Sequence, residues 1–469
     1  MEQIAGRKEE IALLQSLETA QKSAFVAVYG RRRVGKTYLI RTVFDKRFCF
    51  QTTGLANVGL RAQLANFHAA MVKYFPLMER KPVAKNWFTA FLNLSDCLEN
   101  DPRPVKIIFL DELPWFDTPQ SSFISALEHF WNSFASARRD ILLITCGSAA
   151  AWMVNNLINN HGGLHNRVTH RIRLQAFTLG ECEDFFRLKN NVLDRYQLIQ
   201  LYMVMGGIPF YLEQVKRGLS VAQNIDNLCF TEDGMLRKEF DNLYPSLFKK
   251  SENHLAFVEA LAKKGQGMTR AELLAATKMT DSGTATRILR ELEESNFIRQ
   301  YNAFGNKHNN SIFQLCDFYS LFYLRFIKGI SLNDDNTWVN RLDNPSVRVW
   351  SGYAFEQVCL AHILAIKKAL GISGIQTHTV AWHGKGAQID LVIDRRDHVI
   401  NLCEMKFSIN PFTIDKQYDA ELRQKIGTFR EQTGTKKALF LTIITTFGLE
   451  QNPYSGSTVH NNLTMDRLF

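Results

Sequence analysis

The chain of 469 residues has no CxxC pair: Cys49, Cys97, Cys146, Cys182, Cys229, Cys316, Cys359 and Cys403 are scattered singly. That spacing argues against zinc ribbons and dithiol redox motifs, and it suits a reducing compartment. The first ten residues hold no apolar stretch of the kind a secretory leader needs, and no apolar run reaches membrane-spanning length. A soluble, cytoplasmic protein without a membrane partner is therefore expected. Wholesale disorder is excluded too, because 46% of residues are hydrophobic and 12% aromatic. Acidic residues are the scarcer charge, 46 Asp plus Glu against 56 Lys plus Arg. The basic surplus fits a polyanionic partner, so nucleic acid is expected, with DNA favoured. A chain of this length predicts about three domains.

One stretch organises the rest. Phe25 to Tyr29 reads as a buried strand, and Gly30, Arg31, Arg32, Arg33, Val34, Gly35, Lys36 and Thr37 then fit GxxxxGK[ST], with Tyr38 continuing into an amphipathic helix. A polyphosphate has to be wrapped by backbone N–H groups at the positive end of a helix, which requires glycines where a side chain would collide. Lys36 supplies a point charge for the β- and γ-phosphates of ATP, and the Thr37 hydroxyl is a hard ligand for Mg²⁺.

Downstream, Val105 to Leu110 is continuously apolar apart from Lys106 and ends in Asp111 and Glu112. Two acids at a strand's C-terminal end divide the work of phosphoanhydride hydrolysis: Asp111 for the metal, Glu112 as the base that orients or deprotonates water. The next apolar run, Ile141 to Cys146, leads to Gly147 and Ser148. Ser148 or Thr145 fits the place of a γ-phosphate sensor. Arg167 precedes a basic strand, Thr169 to Leu174, and is the candidate arginine finger, with Arg138, Arg139, Arg171 and Arg173 as competitors.

With Gly206-Gly207-Ile208-Pro209-Phe210-Tyr211-Leu212, these segments resemble the archaeal-type ATPases, AAA+-like P-loop proteins of the STAND group. The resemblance covers roughly residues 1–220, including Gly6-Arg7 with Glu10 and Leu13 ahead of the P-loop. It implies an αβα core with a parallel sheet, an added strand between the P-loop strand and the Walker B strand, and a helical lid. It also implies that Gly207 and Pro209 lie at the adenine. The family's usual serine-proline-leucine-tyrosine-glycine run is replaced by His161 to Asn166.

From Asn253 to Leu315 the pattern changes to short helices and a hairpin. Thr269-Arg270-Ala271-Glu272 is a capping box, and Ser282 is placed to cap a helix that carries Ile288 and Leu292 inward with Arg287 and Arg290 outward. Strands Phe297 to Tyr301 and Ser311 to Leu315 flank a loop of Gly305, Asn306, Lys307 and His308, which outlines a winged helix-turn-helix. Phe318 to Phe326 resembles the aromatic segment that follows this module in the same family and reads as core.

The last third begins after a polar linker, Ser331 to Pro345, with a helix expected from Gly352 through Leu370. Ile389 to Ile393 and Val399 to Phe407 then predict a hairpin that sets Asp390 opposite Glu404, with Lys406 on the same face. Two carboxylates and an amine are what metal-assisted phosphodiester hydrolysis asks for. The arrangement resembles the PD-(D/E)xK nucleases, with Glu356 as the first-helix acid. It implies that Glu356, Asp390 and Glu404 hold a second Mg²⁺ or Mn²⁺. Lys416, Tyr418 and Lys425 follow as a candidate backbone track or a solvated helix face.

The expected protein is thus α/β, with a P-loop ATPase core and lid (1–220), a helical linker and winged helix (221–330) and a PD-(D/E)xK nuclease-like domain (331–469). ATP binding and hydrolysis would be coupled to nucleic acid and to a metal-dependent nuclease. An ATP-dependent switch with an inactive nuclease fold is the alternative. A homo-oligomer is compatible with either reading.

Overall fold

The computed structural model describes residues 4–159, 166–248, 250–302, 304, 311–330 and 338–469. Its residues group into two compact units, 1–176 and 177–469. Among the described residues no single helix is long and apolar enough to cross a membrane.

The first unit is built on five parallel strands, β1 (Ala24–Tyr29), β2 (Phe48–Thr53), β3 (Lys106–Asp111), β4 (Ile141–Gly147) and β5 (His170–Arg173), in the order β2-β3-β4-β1-β5. As the resemblance implied, β4 lies between the P-loop strand β1 and the acidic strand β3. Strands β3 and β4 are buried along their whole length, which explains why they read as unbroken apolar runs rather than alternating ones. Lys106, buried within β3, forms an ion pair with Asp140 at 2.7 Å. The region Leu60 to Leu98 folds as the helices Leu60–Tyr74 and Trp87–Glu99. Their aromatic residues Phe67, Trp87 and Phe91 pack in one cluster with Phe50, Phe116 and Phe123. Shared parallel orientation brings the C-terminal ends of β1, β3 and β4 to one edge, and that edge carries the site.

The second unit contains two sheets. The smaller joins β6 (Met268–Thr269), β7 (Ile298–Asn302) and β8 (Ser311–Leu315), antiparallel in the order β6-β8-β7, against helices Arg270–Thr277 and Gly283–Glu294. The Thr269–Glu272 capping box forms. Ser282 makes no side-chain cap bond. Instead Arg270 ties the start of that helix together, donating to Asp281 at 2.6 Å and to Thr286 Oγ1 at 3.0 Å. Ile288 and Leu292 are buried, Arg287 and Arg290 exposed. The expected wing loop, Gly305 to His308, lies outside the described residues, as do His161 to His165.

The larger sheet has the order β13-β12-β11-β10-β9, from β9 (Thr377–Gly384), β10 (Ala387–Arg395), β11 (Val399–Lys406), β12 (Ala438–Thr445) and β13 (Asn461–Thr464). Strands β9, β10 and β11 pair antiparallel, whereas β11, β12 and β13 run parallel. Two sequence expectations need correction here. The helix expected from Gly352 begins at Pro345, with Asn344 capping it, and breaks at His362 with a bend of 74° before Ile363–Ala369. The break is anchored: His362 Nε2 accepts from the Leu179 backbone N–H at 2.9 Å while Nδ1 donates to the Val358 carbonyl at 2.8 Å. The expected linker is docked at its C-terminal part, because Trp338 is buried and the Trp338 and Val339 backbone amides both donate to Asp226. Phe322, Phe326 and Trp350 surround Trp338, so the aromatic segment is core.

Candidate functional site

In the first unit the chain leaves β1 at Tyr29 and turns through Gly30, whose φ is +142° and where an added Cβ would lie 2.3 Å from the Leu174 carbonyl oxygen. Gly35, at φ +92°, ends the loop immediately before the helix Lys36–Val43. Both glycines are therefore demanded by backbone geometry, one by a close approach and one by a left-handed turn. Val34 is buried, and its carbonyl accepts from Arg7, which also donates to the Gln175 carbonyl at 2.6 Å. Arg7 thus braces the loop from behind. Its spacing to Glu10 was visible in the sequence, but its contact with Val34 was not.

Lys36 is 4% exposed, and its ammonium donates to the Gly30 and Arg31 carbonyls at 3.0 and 2.8 Å. Burial lowers its pKa, with the charges of Cys146, Glu112 and Asp111 acting the other way. Thr37 Oγ1 stands 3.0 Å from both oxygens of Asp111. Burial, and then the Glu112 charge, raise the Asp111 carboxyl above its ordinary value, partly offset by its bonds to Thr37 and Cys146. Arg41 approaches Asp111 at 3.9 Å. Glu112 adopts a left-handed backbone, φ 49° and ψ 50°, which turns the chain sharply beyond the strand. Its carboxylate accepts from the Ser148 hydroxyl at 2.8 Å and from the Ser148 backbone N–H at 3.3 Å.

The structure thus brings Gly30, Gly35, Lys36, Thr37, Asp111, Glu112 and Ser148 to one edge. Of the two sensor candidates, Thr145 points away, its hydroxyl bonded to the Val26 carbonyl and fully buried. Arg32 and Arg33 are partly exposed along the loop, and Tyr38 is 48% exposed. Arg167 is a different case. It is exposed and precedes β5, where Thr169 bonds to Phe25 at the start of β1. The span from Phe25 to Gly30 is roughly 16 Å at about 3.3 Å per residue, so Arg167 lies at the opposite edge of the sheet from the loop. Arg173, paired with Tyr29, is the arginine of that strand nearest the phosphate edge.

A site for Mg²⁺ at this edge fits the residues present, because that ion commonly takes only one or two protein oxygens alongside water and phosphate. The Thr37 hydroxyl and Asp111 carboxylate are such a pair.

Gly207 and Pro209 belong to the second unit. The Gly207 carbonyl accepts from the Phe177 backbone N–H at 2.6 Å, and a Cβ there would lie 2.0 Å from the Phe177 oxygen. Pro209 opens the short helix Pro209–Leu212.

In the larger sheet Leu391 pairs with Cys403, and Asp390 and Glu404 are the residues that adjoin this last pair of the hairpin. Glu404 is 6% exposed; Lys425 donates to one oxygen at 2.7 Å and the Tyr418 hydroxyl to the other at 3.4 Å. Lys406 Nζ lies 5.1 Å from the centre of the Tyr418 ring. Gln388 donates to Asp390. Burial first, then the Asp390 charge, push the Glu356 carboxyl up to about 8. The Glu356 carboxyl thus feels the charges of Asp390 and Glu404, yet among the described residues no group of three His, Cys, Asp or Glu is gathered closely enough to hold a metal. Lys425 supplies positive charge to Glu404 in this arrangement. In the sequence Lys425 reads as part of a backbone track or of a solvated helix face, since nothing in a helical repeat says which lysine turns inward.

Residues 4–215 match the family model of an ATPase domain predominantly from Archaea. An uncharacterized protein of Methanocaldococcus jannaschii is 23% identical over 390 residues, 82% of this chain and 83% of its own. Among solved structures, the Walker-type ATPase of Pyrococcus abyssi is 16% identical with a TM-score of 0.49, covering 69% of this chain and 96% of that one. The Aeropyrum pernix ORC2 protein is 12% identical with a TM-score of 0.44, covering 69% and 92%.

Proposed function

We propose that the chain binds ATP at the Gly30–Thr37 loop and hydrolyses it, and that nucleotide state governs a nucleic-acid-directed activity of the remaining residues. The observation that carries this is the shared edge on which Lys36, Thr37, Asp111, Glu112 and Ser148 meet. Loop N–H groups and Lys36 bind the phosphates, and Glu112, oriented by Ser148, accepts the proton of the attacking water. Bound Mg²⁺, held by Thr37 and Asp111, would neutralise charge on the β- and γ-oxygens. Measuring ATP turnover by the purified chain beside Lys36→Ala and Glu112→Gln tests the reading; turnover that persists in both variants refutes it.

Within this reading, 1–220 is the ATPase core with its lid, Pro209 contacts adenine, 221–330 ends in a winged helix, and 331–469 is a PD-(D/E)xK nuclease-like domain. The small antiparallel sheet with its two helices supports the winged helix, and the hairpin that carries Asp390, Glu404 and Lys406 supports the nuclease. Because Arg167 lies at the far edge from its own loop, its use as a finger requires a second copy of the chain, so a homo-oligomer belongs to the proposal. DNA is the favoured nucleic acid.

One observation favours the alternative of a switch with an inactive nuclease fold. Lys425 occupies Glu404, and the acids do not stand at chelating distance. Incubating DNA and RNA with the chain and Mn²⁺, beside Asp390→Ala and Lys406→Ala, separates the two: cleavage lost in the variants supports the nuclease, no cleavage by any form supports the switch.

A further inference from the structure

Within the second unit a cleft of about 460 Å³ lies between the small sheet and the larger one. One wall presents Arg299, Tyr301 and Gln314, and the other Glu356, Gln357 and Asp390. Two of the proposed nuclease acids therefore open into a space roofed by a different module.

Two features of this cleft are unexplained by folding alone. Arg299 donates to Gln314 Oε1 at 2.8 Å and to Gln357, both neutral amide oxygens. Among the described residues no carboxylate forms an ion pair with it, so this partly buried guanidinium at the cleft wall is held by amide oxygens. The Tyr353 hydroxyl, also lining the cleft, is buried with no hydrogen-bond partner among the described residues. An unsatisfied buried hydroxyl is unfavourable, and a bound water or ligand relieves it.

The walls are also tied together. Gln266 Nε2 donates to Gln388 Oε1 at 2.7 Å, and the Phe304 backbone N–H donates to the Ala381 carbonyl at 2.9 Å. The volume lies in the ordinary range of small-ligand pockets, about 300–1,000 Å³. A duplex, whose major groove alone is about 12 Å wide, does not fit between walls bridged by single hydrogen bonds. One unpaired nucleotide does, with amide groups for base edges, Tyr301 for stacking and Arg299 for phosphate.

We propose that this cleft binds an unpaired nucleotide of a single strand, so that the substrate class is single-stranded polynucleotide rather than duplex. The proposal rests on the nuclease reading only for what happens to the strand, not for binding it. Arg299 holds the phosphate from the small-sheet side, opposite Glu356 and Asp390.

The test uses the full chain with Ca²⁺ in place of Mg²⁺ and follows the fluorescence anisotropy of labelled single-stranded DNA, single-stranded RNA and the matching DNA duplex. Single-strand binding that weakens at least tenfold in Arg299→Gln, recovers in part in Arg299→Lys, and weakens in Tyr301→Ala supports the proposal. Comparing the DNA and RNA strands then identifies the sugar. A far-ultraviolet circular dichroism spectrum and melting profile unchanged from the parent confirm that the second unit, which carries Arg299 and Tyr301, still folds in the variants. Duplex bound as tightly as single strand, or single-strand affinity unmoved in Arg299→Gln and Tyr301→Ala, overturns it. Cleavage in Mn²⁺ is scored separately. Arg299-dependent single-strand binding without cleavage defeats the nuclease reading and leaves this inference standing, whereas cleavage within duplex that ignores Arg299 does the reverse.

Discussion

Ser148 donates its hydroxyl to Glu112 at 2.8 Å, joining the end of β4 to the end of β3. The residue expected to sense γ-phosphate thus holds the carboxylate expected to act as base. Ser148→Ala frees the Glu112 side chain to leave its attacking geometry. Steady-state kinetics should show kcat lowered about tenfold, with KM for ATP changed less than about twofold. An unchanged or increased kcat would show that the bond restrains Glu112 rather than orienting it.

Glu112→Gln keeps the shape of the side chain and removes its basicity. Turnover should fall by about 10²–10⁴-fold while ATP is retained, and Lys36→Ala should lose nucleotide binding itself. Equilibrium binding of a fluorescent ATP analogue beside a phosphate-release assay separates the two. Equal retention of nucleotide by both variants would contradict the roles assigned.

Gly30→Ala drives a methyl group to 2.3 Å from the Leu174 carbonyl oxygen at a φ of +142°. Two independent penalties, overlap and backbone strain, should lower stability by more than about 2 kcal/mol and reduce ATP affinity. Denaturant unfolding of the full chain measures the first. A variant as stable as the parent would mean that β5 shifts away at little cost.

His362 is 4% exposed, and burial lowers its pKa below the ordinary value. Above about pH 6.5 folded and unfolded chains both carry it neutral, and its contribution is complete. As pH falls below that value the unfolded chain takes up a proton that the folded one refuses, so stability declines until the depressed folded pKa is passed. Glu181 is the charge opposing this shift. Urea midpoints at about pH 7.5 and about pH 5.5 should therefore differ less in His362→Gln than in the parent. Equal pH dependence in both would remove His362 as the source.

Lys425→Met leaves the Glu404 carboxylate buried without its cation. Breaking a buried pair costs about 3–5 kcal/mol; with the Lys425 side chain 30% exposed, about 1–3 kcal/mol is expected here. If Mn²⁺ can replace the lysine, the melting temperature of Lys425→Met should rise with Mn²⁺ while that of the parent does not. No metal response in the variant would argue that Glu404 and Asp390 hold no ion.

Local chemistry was legible in the sequence because it is written in contiguous residues. The glycine spacing, Lys36-Thr37, the apolar strand ending in Asp111-Glu112 and the Thr269–Glu272 box each need only neighbours to be specified, and each formed. The hairpin that pairs Leu391 with Cys403 followed from strand periodicity and a short turn. The parallel sheet carrying the loop was expected from the family resemblance, and the place of β4 between β1 and β3 agrees with it. What depended on distant partners was not legible. The break at His362 comes from the Leu179 amide, the inward turn of Lys425 from Glu404, and the docked end of the expected linker from Asp226, none of them near in sequence. The opposite-edge position of Arg167 follows from strand direction, which puts residues before β5 and after β1 at different ends. Residue type and spacing determined which groups exist; only the tertiary structure decided which of them meet, because burial and hydrogen bonding act on distance in space, not along the chain.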